Sequence, residues 1–435
     1  MISSVRKKSV IAAVAVTSFA LVASAVPANA VDGVSATEIK LGITVPQTGP
    51  ASAGYNKIAP AMKAYFEYIN ANGGVYGRKI NLIVKDDGYK TQSAIDATNE
   101  LLLQDKVFAL VGQLGTANHI AVASKVQLGK RGVPSIYLNT GFSEFADVKK
   151  YATSFMQFPS YAMEAKVLST YLKANYAGKK ICLLAQADDF GDDAAKGFTA
   201  AGLTFTETQR YVSGTQSPTV AAGWVQKFAG AKCDVVVTFS VTTATAALLG
   251  ASVALKFAPQ WVIGSVGSDP TTIGLALGNN KAQATALLNG AISASWLPDV
   301  SDAKDKYVSL YREVNTKYNN NEVFDFNVMV GMNAGMLTVQ ALRAAGRNPT
   351  RQSLINAIET KGRTFASASF APNVVSKTSH AGYTGFWIGK FDSAGMLKPV
   401  EAKRPIYVTD SGSGAVTKVA PKRAKFPTKG IPTNS

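Results

Sequence analysis

Apolar and polar positions along the chain follow two periods, one typical of strands and one typical of helices. Residues 39–45 carry apolar side chains at every second position, which is the period of a half-buried strand. Residues 62–69 carry them at positions i, i+3, i+4 and i+7, which form one face of a helix. The segment 46–54 between them is rich in Gly, Pro, Ser and Thr, as in a loop. The pattern therefore predicts a strand, a loop and a helix in succession.

The same succession recurs in the residues that follow. The pattern predicts strands at 80–84, 107–111 and 133–138, with helices at 93–104 and 119–130 between them. Alternation of this kind favours a parallel sheet that is covered by helices on both faces. The first part of the chain is therefore predicted to form one α/β lobe.

A second series of the same type begins near Tyr161. Its predicted strands lie at 181–186, 204–211, 234–240 and 260–263, and its predicted helices at 163–172, 192–201, 220–229 and 244–255. Amphipathic helices at 302–315, 327–345 and 350–360 follow, and then a hairpin at 386–391. Two similar lobes with trailing helices predict an α/β fold whose chain crosses between the lobes more than once. Because loops at the carboxyl ends of parallel strands face the cleft between such lobes, we expect a ligand there.

The amino terminus has the layout of a secretory signal peptide. Basic residues at 6–8 precede an apolar stretch at 10–25, and Ala28-Asn29-Ala30 supplies the small residues of a cleavage site. The apolar stretch is short for a membrane span, which takes about 20 residues. We expect cleavage after Ala30 and a mature protein that is secreted, periplasmic or held in the cell envelope. No cysteine lies at the expected cleavage site directly after the apolar stretch, so no lipid anchor is expected.

The chain has two cysteines, Cys182 and Cys233, and each precedes a short apolar run near the start of a predicted strand. In an exported protein, such a pair is either bridged or remains as two buried thiols on neighbouring strands. The sequence leaves both alternatives open. Neither cysteine is expected to be catalytic, because nothing nearby would lower the pKa of a thiol.

The charge balance is strongly basic. The chain carries 45 Lys and Arg against 28 Asp and Glu, a formal net charge of +17. Five of the positive charges fall after Ala415 with no acid among them, which predicts a disordered basic tail over residues 411–435. The tail either contacts an anionic cell-envelope polymer or lipid headgroups, or has no partner. Nucleic acid is not expected as a partner, because no recognition motif accompanies the charge.

Catalytic signatures are missing from the sequence. It has only two histidines and no HExxH, GxSxG or GxxxxGK pattern. The acidic pairs at 86–87 and 188–189 fall at strand-to-helix turns, where capping and turn formation are commoner roles than acid–base catalysis or metal binding. We therefore expect a binding protein with no catalytic residue, no metal and no cofactor.

Eight segments share their order and spacing with one known family. These segments are residues 48–50, 69–80, 86–87, 111–116, 132–134, 188–192, 331–346 and 385–386. Phe190 stands where the family usually has tyrosine. On these segments the chain resembles the type I periplasmic binding proteins of the branched-chain amino-acid type, and the resemblance extends over residues 37–408.

The resemblance implies two Rossmann-like lobes joined by a three-crossover hinge, with the ligand in the cleft between them. One lobe would comprise residues 36–157 with 297–371, and the other residues 158–296 with 372–410. The implied function is that of a monomer that captures a small organic ligand by lobe closure and delivers it to the permease of an ATP-binding cassette importer. A ligand sensor or a cell-wall-associated binding protein that is not coupled to import would have the same lobes.

The resemblance also assigns ligand-binding positions. Thr116 stands at the family's ligand-binding serine, where its hydroxyl and the nearby backbone amides would hold a carbonyl or acidic group. Capping the following helix is the alternative role for Thr116. The expected ligand-binding residues are Tyr55, Gly115, Thr116, Asn139, Thr140, Phe190, Ser240, Thr242, Ser265 and Asp269.

One position departs from the family pattern. Amino-acid binders of this family carry an acid for the ammonium group of the ligand where this chain has Val266. Ser265, Ser268 and Asp269 are neighbours, so a small shift of the alignment would restore an acid. Without an acid, enclosing an ammonium group would be costly. The ligand is therefore either a branched-chain or other amino acid, or a carboxylate, amide or aromatic acid that lacks the amine.

Overall fold

The structure is a computed structural model that describes Met1 and residues 31–433. Apart from Met1, the predicted signal peptide lies outside the described residues. From Val31 onward the chain forms one compact unit built on two sheets. Over the described residues, no helix is both long and apolar enough to cross a membrane.

The first sheet has five strands in the order β2-β1-β3-β4-β5, and all neighbouring strands are parallel. Its strands are β1 (Glu38–Val45), β2 (Lys79–Asp86), β3 (Ala109–Val111), β4 (Ser135–Leu138) and β5 (Ser154–Met156). Its first helices are α1 (Ser52–Tyr55), α2 (Ile58–Ala71), α3 (Thr91–Leu103) and α4 (Thr116–Lys125). Parallel strands with helices between them confirm the succession that the hydrophobic pattern predicts for this part of the chain.

The second sheet has nine strands in the order β14-β13-β11-β10-β9-β8-β6-β7, and β12 also pairs with β11. Its strands are β6 (Ile181–Gln186), β7 (Glu207–Tyr211), β8 (Val235–Phe239), β9 (Gln260–Ile263), β10 (Ile292–Ser295), β11 (Gly385–Phe391), β12 (Leu397–Pro399), β13 (Ile406–Val408) and β14 (Thr417–Val419). Its helices are α5 (Tyr161–Asn175), α6 (Asp189–Ala200), α7 (Pro218–Gly230), α8 (Thr242–Ala254), α9 (Pro270–Ala276) and α10 (Lys281–Leu288). The strands β6 to β10 are parallel, and the later ones add an antiparallel edge.

Three later helices return to the first sheet. They are α11 (Lys306–Tyr318), α12 (Phe326–Ala344) and α13 (Arg351–Lys361). The helix α12 packs very closely on α2, because a Cβ at Gly331 would lie 2.3 Å from the carbonyl oxygen of Ile58. Only glycine allows that approach. The chain therefore passes between the two lobes three times, after β5, after β10 and after α13, as the resemblance implies.

The three passages pack against one another through aromatic rings. The ring centroids of Phe158 and Trp296 lie 5.1 Å apart, and Trp296 stacks on Tyr383 at 5.3 Å. In addition, the backbone N–H of Phe370 donates to the carbonyl of Trp296 (2.9 Å). These contacts form the hinge. The residue limits given above for each lobe remain a prediction.

A disulfide joins Cys182 and Cys233, whose Cα atoms lie 5.9 Å apart. Cys182 lies in β6, and Cys233 comes just before the neighbouring strand β8, so the sheet itself brings the two residues together. The bridged state is therefore the one of the two alternatives that the structure adopts.

The prediction of a disordered tail is wrong for the described residues 411–433. Lys166 on α5 donates to the carbonyls of Asp410, Gly412 and Gly414, and the strand β14 pairs with β13. Further on, the ring of Phe426 packs edge-on against Tyr307 at 4.9 Å. Apolar side chains and backbone pairing outweigh the charge repulsion from which disorder was predicted. We name residues 410–431 the C-terminal strap.

Candidate ligand-binding site

A cleft lies between the two lobes, at the carboxyl ends of their parallel strands. The space between its walls is about 510 Å³, including its open mouth. Six aromatic rings line the cleft, and they belong to Tyr55, Tyr89, Phe158, Tyr161, Phe190 and Phe326. Its lining therefore suits a molecule with an aromatic or apolar body.

The amino end of α4 forms the most polar part of the cleft wall. Gly115 precedes the helix with φ of +105°, and no side chain caps the first turn. Within the described chain, the backbone N–H groups of Thr116, Ala117 and Asn118 donate to no acceptor. Free N–H groups and the positive end of the helix dipole attract an anion. This end of the cleft is therefore suited to a carboxylate.

Hydroxyl groups extend this polar end. The Oγ1 atoms of Thr116 and Thr140 lie 2.6 Å apart, and the hydroxyl of Tyr161 donates to Thr140 Oγ1 (3.3 Å). Burial raises the pKa of Tyr161 to about 12, so its hydroxyl keeps its proton. Thr116 lines the cleft and Thr140 supports it from behind. The threonine hydroxyl therefore adds a hydrogen-bonding group beside the backbone donors.

Asn139 also lines the cleft, but its side-chain amide is engaged in the protein. Its Nδ2 donates to the carbonyl of Gly112 (2.6 Å), and its Oδ1 accepts from Gln157 Nε2 (2.5 Å). These bonds fix the loops after β3 and β4 against each other. Asn139 thus shapes the first-lobe wall instead of offering free polar atoms.

In the second lobe, the loop around Val266 closes the opposite side of the cleft. The carbonyl of Val266 accepts hydrogen bonds from the hydroxyls of Tyr55 (3.1 Å) and Thr242 (3.3 Å). Phe190 and the Val266 side chain add apolar surface. The side chains of this wall carry no charge. The carbonyl oxygen of Val266, at the position where an acid was expected, already accepts two hydrogen bonds.

Five of the expected ligand-binding residues do not line the cleft: Thr140, Ser240, Thr242, Ser265 and Asp269. Thr140 and Thr242 lie just behind it, hydrogen-bonded to Thr116 and to the carbonyl of Val266. The hydroxyl of Ser240 lies 2.7 Å from that of Thr238 inside the lobe. The backbone N–H and hydroxyl of Ser265 donate to the carboxylate of Glu164 (2.6 and 3.0 Å).

Asp269, the last of these residues, caps α9. Its Oδ1 accepts from the backbone N–H of Thr272 (2.7 Å), and its Oδ2 accepts from that of Phe326 (3.3 Å). These bonds turn the carboxylate away from the cleft. Asp269 therefore does not replace the acid that is missing at Val266.

The sequence interpretation missed several residues of the wall. Tyr89, Phe158, Tyr161 and Phe326 all line the cleft, together with the amide of Asn327. Tyr89 follows the strand β2 and Tyr161 begins α5, so each stands where an element ends or starts at the cleft. An aromatic residue at such a junction was the available signal.

No carboxylate or ammonium group lines the cleft among the described residues. Asp188 lies nearby, but it accepts from Gln186 Nε2 (2.6 Å) and from the backbone N–H of Phe190 (3.1 Å), and its burial raises its pKa. Over the same described residues, no group of three or more His, Cys, Asp or Glu side chains is placed to hold a metal ion. The electrostatics of the cleft are therefore dominated by the amino end of α4.

The two lobes touch at the rim of the cleft. Thr243 Oγ1 donates to the carbonyl of Pro50 (2.9 Å), and Gln186 Nε2 donates to the hydroxyl of Tyr89 (3.4 Å). Each of these bonds joins the first lobe to the second. The structure therefore represents the closed arrangement of the lobes.

Comparison with known proteins agrees with this geometry. The chain matches the family described as periplasmic binding protein over residues 38–396. It is similar to Leu/Ile/Val-binding protein homolog 7 of Brucella suis, with 25% identity over 312 residues that cover 68% of this chain and 74% of that protein.

Solved structures show the same fold. A branched-chain amino-acid ABC transporter protein of Thermus thermophilus with bound valine matches with a TM-score of 0.73 and 21% identity, covering 86% of this chain and 97% of that one. A solute-binding protein of an ABC transporter from R. palustris in complex with 4-hydroxybenzoate matches with a TM-score of 0.70 and 17% identity, covering 86% and 98%. The chain therefore belongs to the periplasmic binding protein family, as a type I member similar to the branched-chain amino-acid-binding proteins.

Proposed function

We propose that this protein captures a small organic carboxylate that has an aromatic or apolar body and no charged amine. The observation that carries the proposal is the pairing of free N–H groups at the amino end of α4 with walls that carry no charged side chain. The helix end would hold the carboxylate, and Thr116 would donate or accept beside it. The aromatic rings would cover the body of the ligand.

The second-lobe wall argues against an α-amino acid. An ammonium group enclosed in the cleft needs an acid or several free acceptors, because an unpaired buried charge costs several kcal/mol. Val266 supplies no acid, and its carbonyl is occupied by Tyr55 and Thr242. The relatives include a valine-bound and a 4-hydroxybenzoate-bound protein, so the fold accommodates both classes of ligand. The chemistry of this cleft favours the second class.

We further propose that the closed protein delivers its ligand to the permease of an ATP-binding cassette importer, as an exported monomer cleaved after Ala30. Membership of the family and the closed lobes support this role. A ligand sensor would use the same closed form, but a membrane receptor instead of a permease would bind that form. Import of the bound carboxylate by whole cells, lost on deletion of this protein, distinguishes the two roles.

We also propose that the basic tail contacts an anionic envelope polymer. Lys418 pairs with Glu401 and Arg423 pairs with Asp305, so both charges are neutralised within the protein. Lys422, Lys425 and Lys429 are exposed and remain available. Replacing these three by glutamine removes the charge while keeping the strap in place. Loss of surface retention in that variant supports the contact, and unchanged retention refutes it.

Matched ligand pairs test the proposed ligand class. Isothermal titration of the mature protein compares phenylpropanoate with L-phenylalanine, and isocaproate with L-leucine, since the members of each pair differ only in the amine. We expect the acid without the amine to bind at least about tenfold more tightly in each pair. Tighter binding of the amino acids would refute the assignment and would show that another group neutralises the ammonium.

A further inference from the structure

We propose that the C-terminal strap is a fourth connection between the lobes, and that Arg423 within it sets the balance between their open and closed arrangements. Arg423 would thereby set the ligand affinity without touching the ligand. This inference rests on the proposed function, in which lobe closure captures the ligand. It is carried by contacts that the strap makes on both lobes.

The strap begins on the second lobe. The side chain of Lys166 is only 3% exposed, and its ammonium group donates to Asp410 Oδ1 (2.8 Å) and to the carbonyls of Gly412 and Gly414 (both 2.7 Å). The strand β14 then pairs with β13 at the edge of the second sheet. This end of the strap therefore moves with the second lobe.

The strap ends on the first lobe. The hydroxyl of Tyr68 donates to the carbonyl of Lys429 (2.6 Å), and that of Tyr65 donates to the carbonyl of Gly430 (2.8 Å). Both tyrosines belong to α2. Gly430 is buried with φ of +66°, and a Cβ there would lie 2.1 Å from Leu310 on α11. This end of the strap therefore moves with the first lobe.

Arg423 lies between the two ends, at the hinge. Its side chain is 17% exposed and pairs with Asp305, which follows the second passage between the lobes and caps α11. Its Nη2 donates to the carbonyl of Ala368 in the third passage (2.5 Å). Its guanidinium also lies 3.9 Å from the ring centroid of Phe370. One side chain thus joins the start of α11 to the third passage.

The ring of Phe370 connects this cluster to the second lobe. Arg404, in the loop between β12 and β13, also stacks on Phe370 at 4.7 Å and lies 5.0 Å from the ring centroid of Trp387 in β11. A planar guanidinium suits such stacking, because it bonds at its edge while its face covers a ring. Arg423 therefore contributes to an interface that includes both lobes.

Geometry limits how far the lobes separate while these contacts persist. Only residues 420–422 lie between β14 and Arg423. The four steps from the Cα of Val419 to that of Arg423 span at most roughly 14 Å when extended. A wide opening must therefore release either Arg423 or the pairing of β14 with β13. Since the contacts exist in the closed arrangement, they favour closure.

Spin labels measure the effect in the ligand-free protein. Lys63→Cys on α2 and Lys227→Cys on α7 place labels on exposed positions of the two lobes. Arg423→Gln removes the ion pair and the stacking, and Arg423→Lys keeps only the charge. Lys422→Gln is the matched control, because Lys422 is exposed and carries the same charge at the neighbouring position.

We expect Arg423→Gln to shift the ligand-free label distances to longer values and to weaken phenylpropanoate binding about fivefold. The label distances and the affinity of Arg423→Lys should lie between those of the wild type and Arg423→Gln. If Arg423→Gln fails to fold, the comparison of Arg423→Lys with the control tests the role of Arg423. The control should match the wild type in both measurements. Distance distributions for the Arg423 variants that overlay those of the control would overturn the inference. If no carboxylate binds the wild type, the proposed function fails, while the ligand-free distances still decide the role of Arg423.

Discussion

Replacing Thr116 by valine removes one hydroxyl from the cleft while keeping the shape of the side chain. The hydroxyl of Thr140 loses its partner at 2.6 Å but still accepts from Tyr161. The cost to folding should therefore stay near one neutral hydrogen bond, about 1 kcal/mol. A hydrogen bond to a bound carboxylate is charge-assisted and contributes about 1.5–3 kcal/mol. The dissociation constant should thus rise about 10- to 150-fold.

Isothermal titration with phenylpropanoate measures this change. Some binding should remain, because the backbone N–H groups at the amino end of α4 are unaffected. Thr199→Val is the control, since Thr199 is exposed on α6 and its hydroxyl bonds only to the carbonyl of Ala195 (3.0 Å). A dissociation constant for Thr116→Val equal to that of the control would exclude the Thr116 hydroxyl from ligand binding.

Three further outcomes follow from the structure. Val266→Asp should weaken binding of isocaproate and strengthen binding of L-leucine in titrations, because it adds the missing counter-charge; an unchanged preference would contradict the account of the second-lobe wall. Replacing both Cys182 and Cys233 with serine removes the disulfide and should lower the free energy of unfolding, measured in urea, by about 4 kcal/mol. This is the loop-closure entropy of the unfolded chain for a separation of 51 residues. An unchanged free energy of unfolding would refute a stabilising role for the disulfide. Burial raises the pKa of Glu164 from 4.5 to about 7, so between these values the unfolded chain releases a proton that the folded protein keeps, and stability falls as pH rises. Glu164→Gln should therefore raise the melting temperature at pH 8 relative to the wild type more than at pH 5, and equal shifts at both pH values would refute this origin of the pH dependence.

The strand and helix periods were sufficient to predict most of the two lobes. Elements such as β1 and α2 are long enough for their apolar positions to show a clear period. The pattern missed α9, α10 and β10, which are four to eight residues long and too short to show one. The strap was missed for a different reason, since its few apolar residues are buried only by partners distant in the sequence.

The structure places the first-lobe candidates Gly115 and Thr116 at the cleft, and it places the second-lobe candidates Ser240, Ser265 and Asp269 away from its wall. Gly115 and Thr116 follow a strand and begin a helix, so their place at the cleft depends on topology alone. Ser265 and Asp269 also follow a strand, but the direction of each side chain depends on one residue of register and on remote partners such as Glu164. Sequence periods do not contain that information.

The rim contacts determine how quickly ligand is exchanged. Because the Thr243 and Gln186 side chains join the lobes at the rim, separation of the lobes, which widens the exit for a bound molecule, must break these two hydrogen bonds. The dissociation rate then has the opening rate of the ligand-bound lobes as its upper limit. Ligands that contact both lobes more strongly would slow that opening, so differences in affinity should appear mainly as differences in residence time.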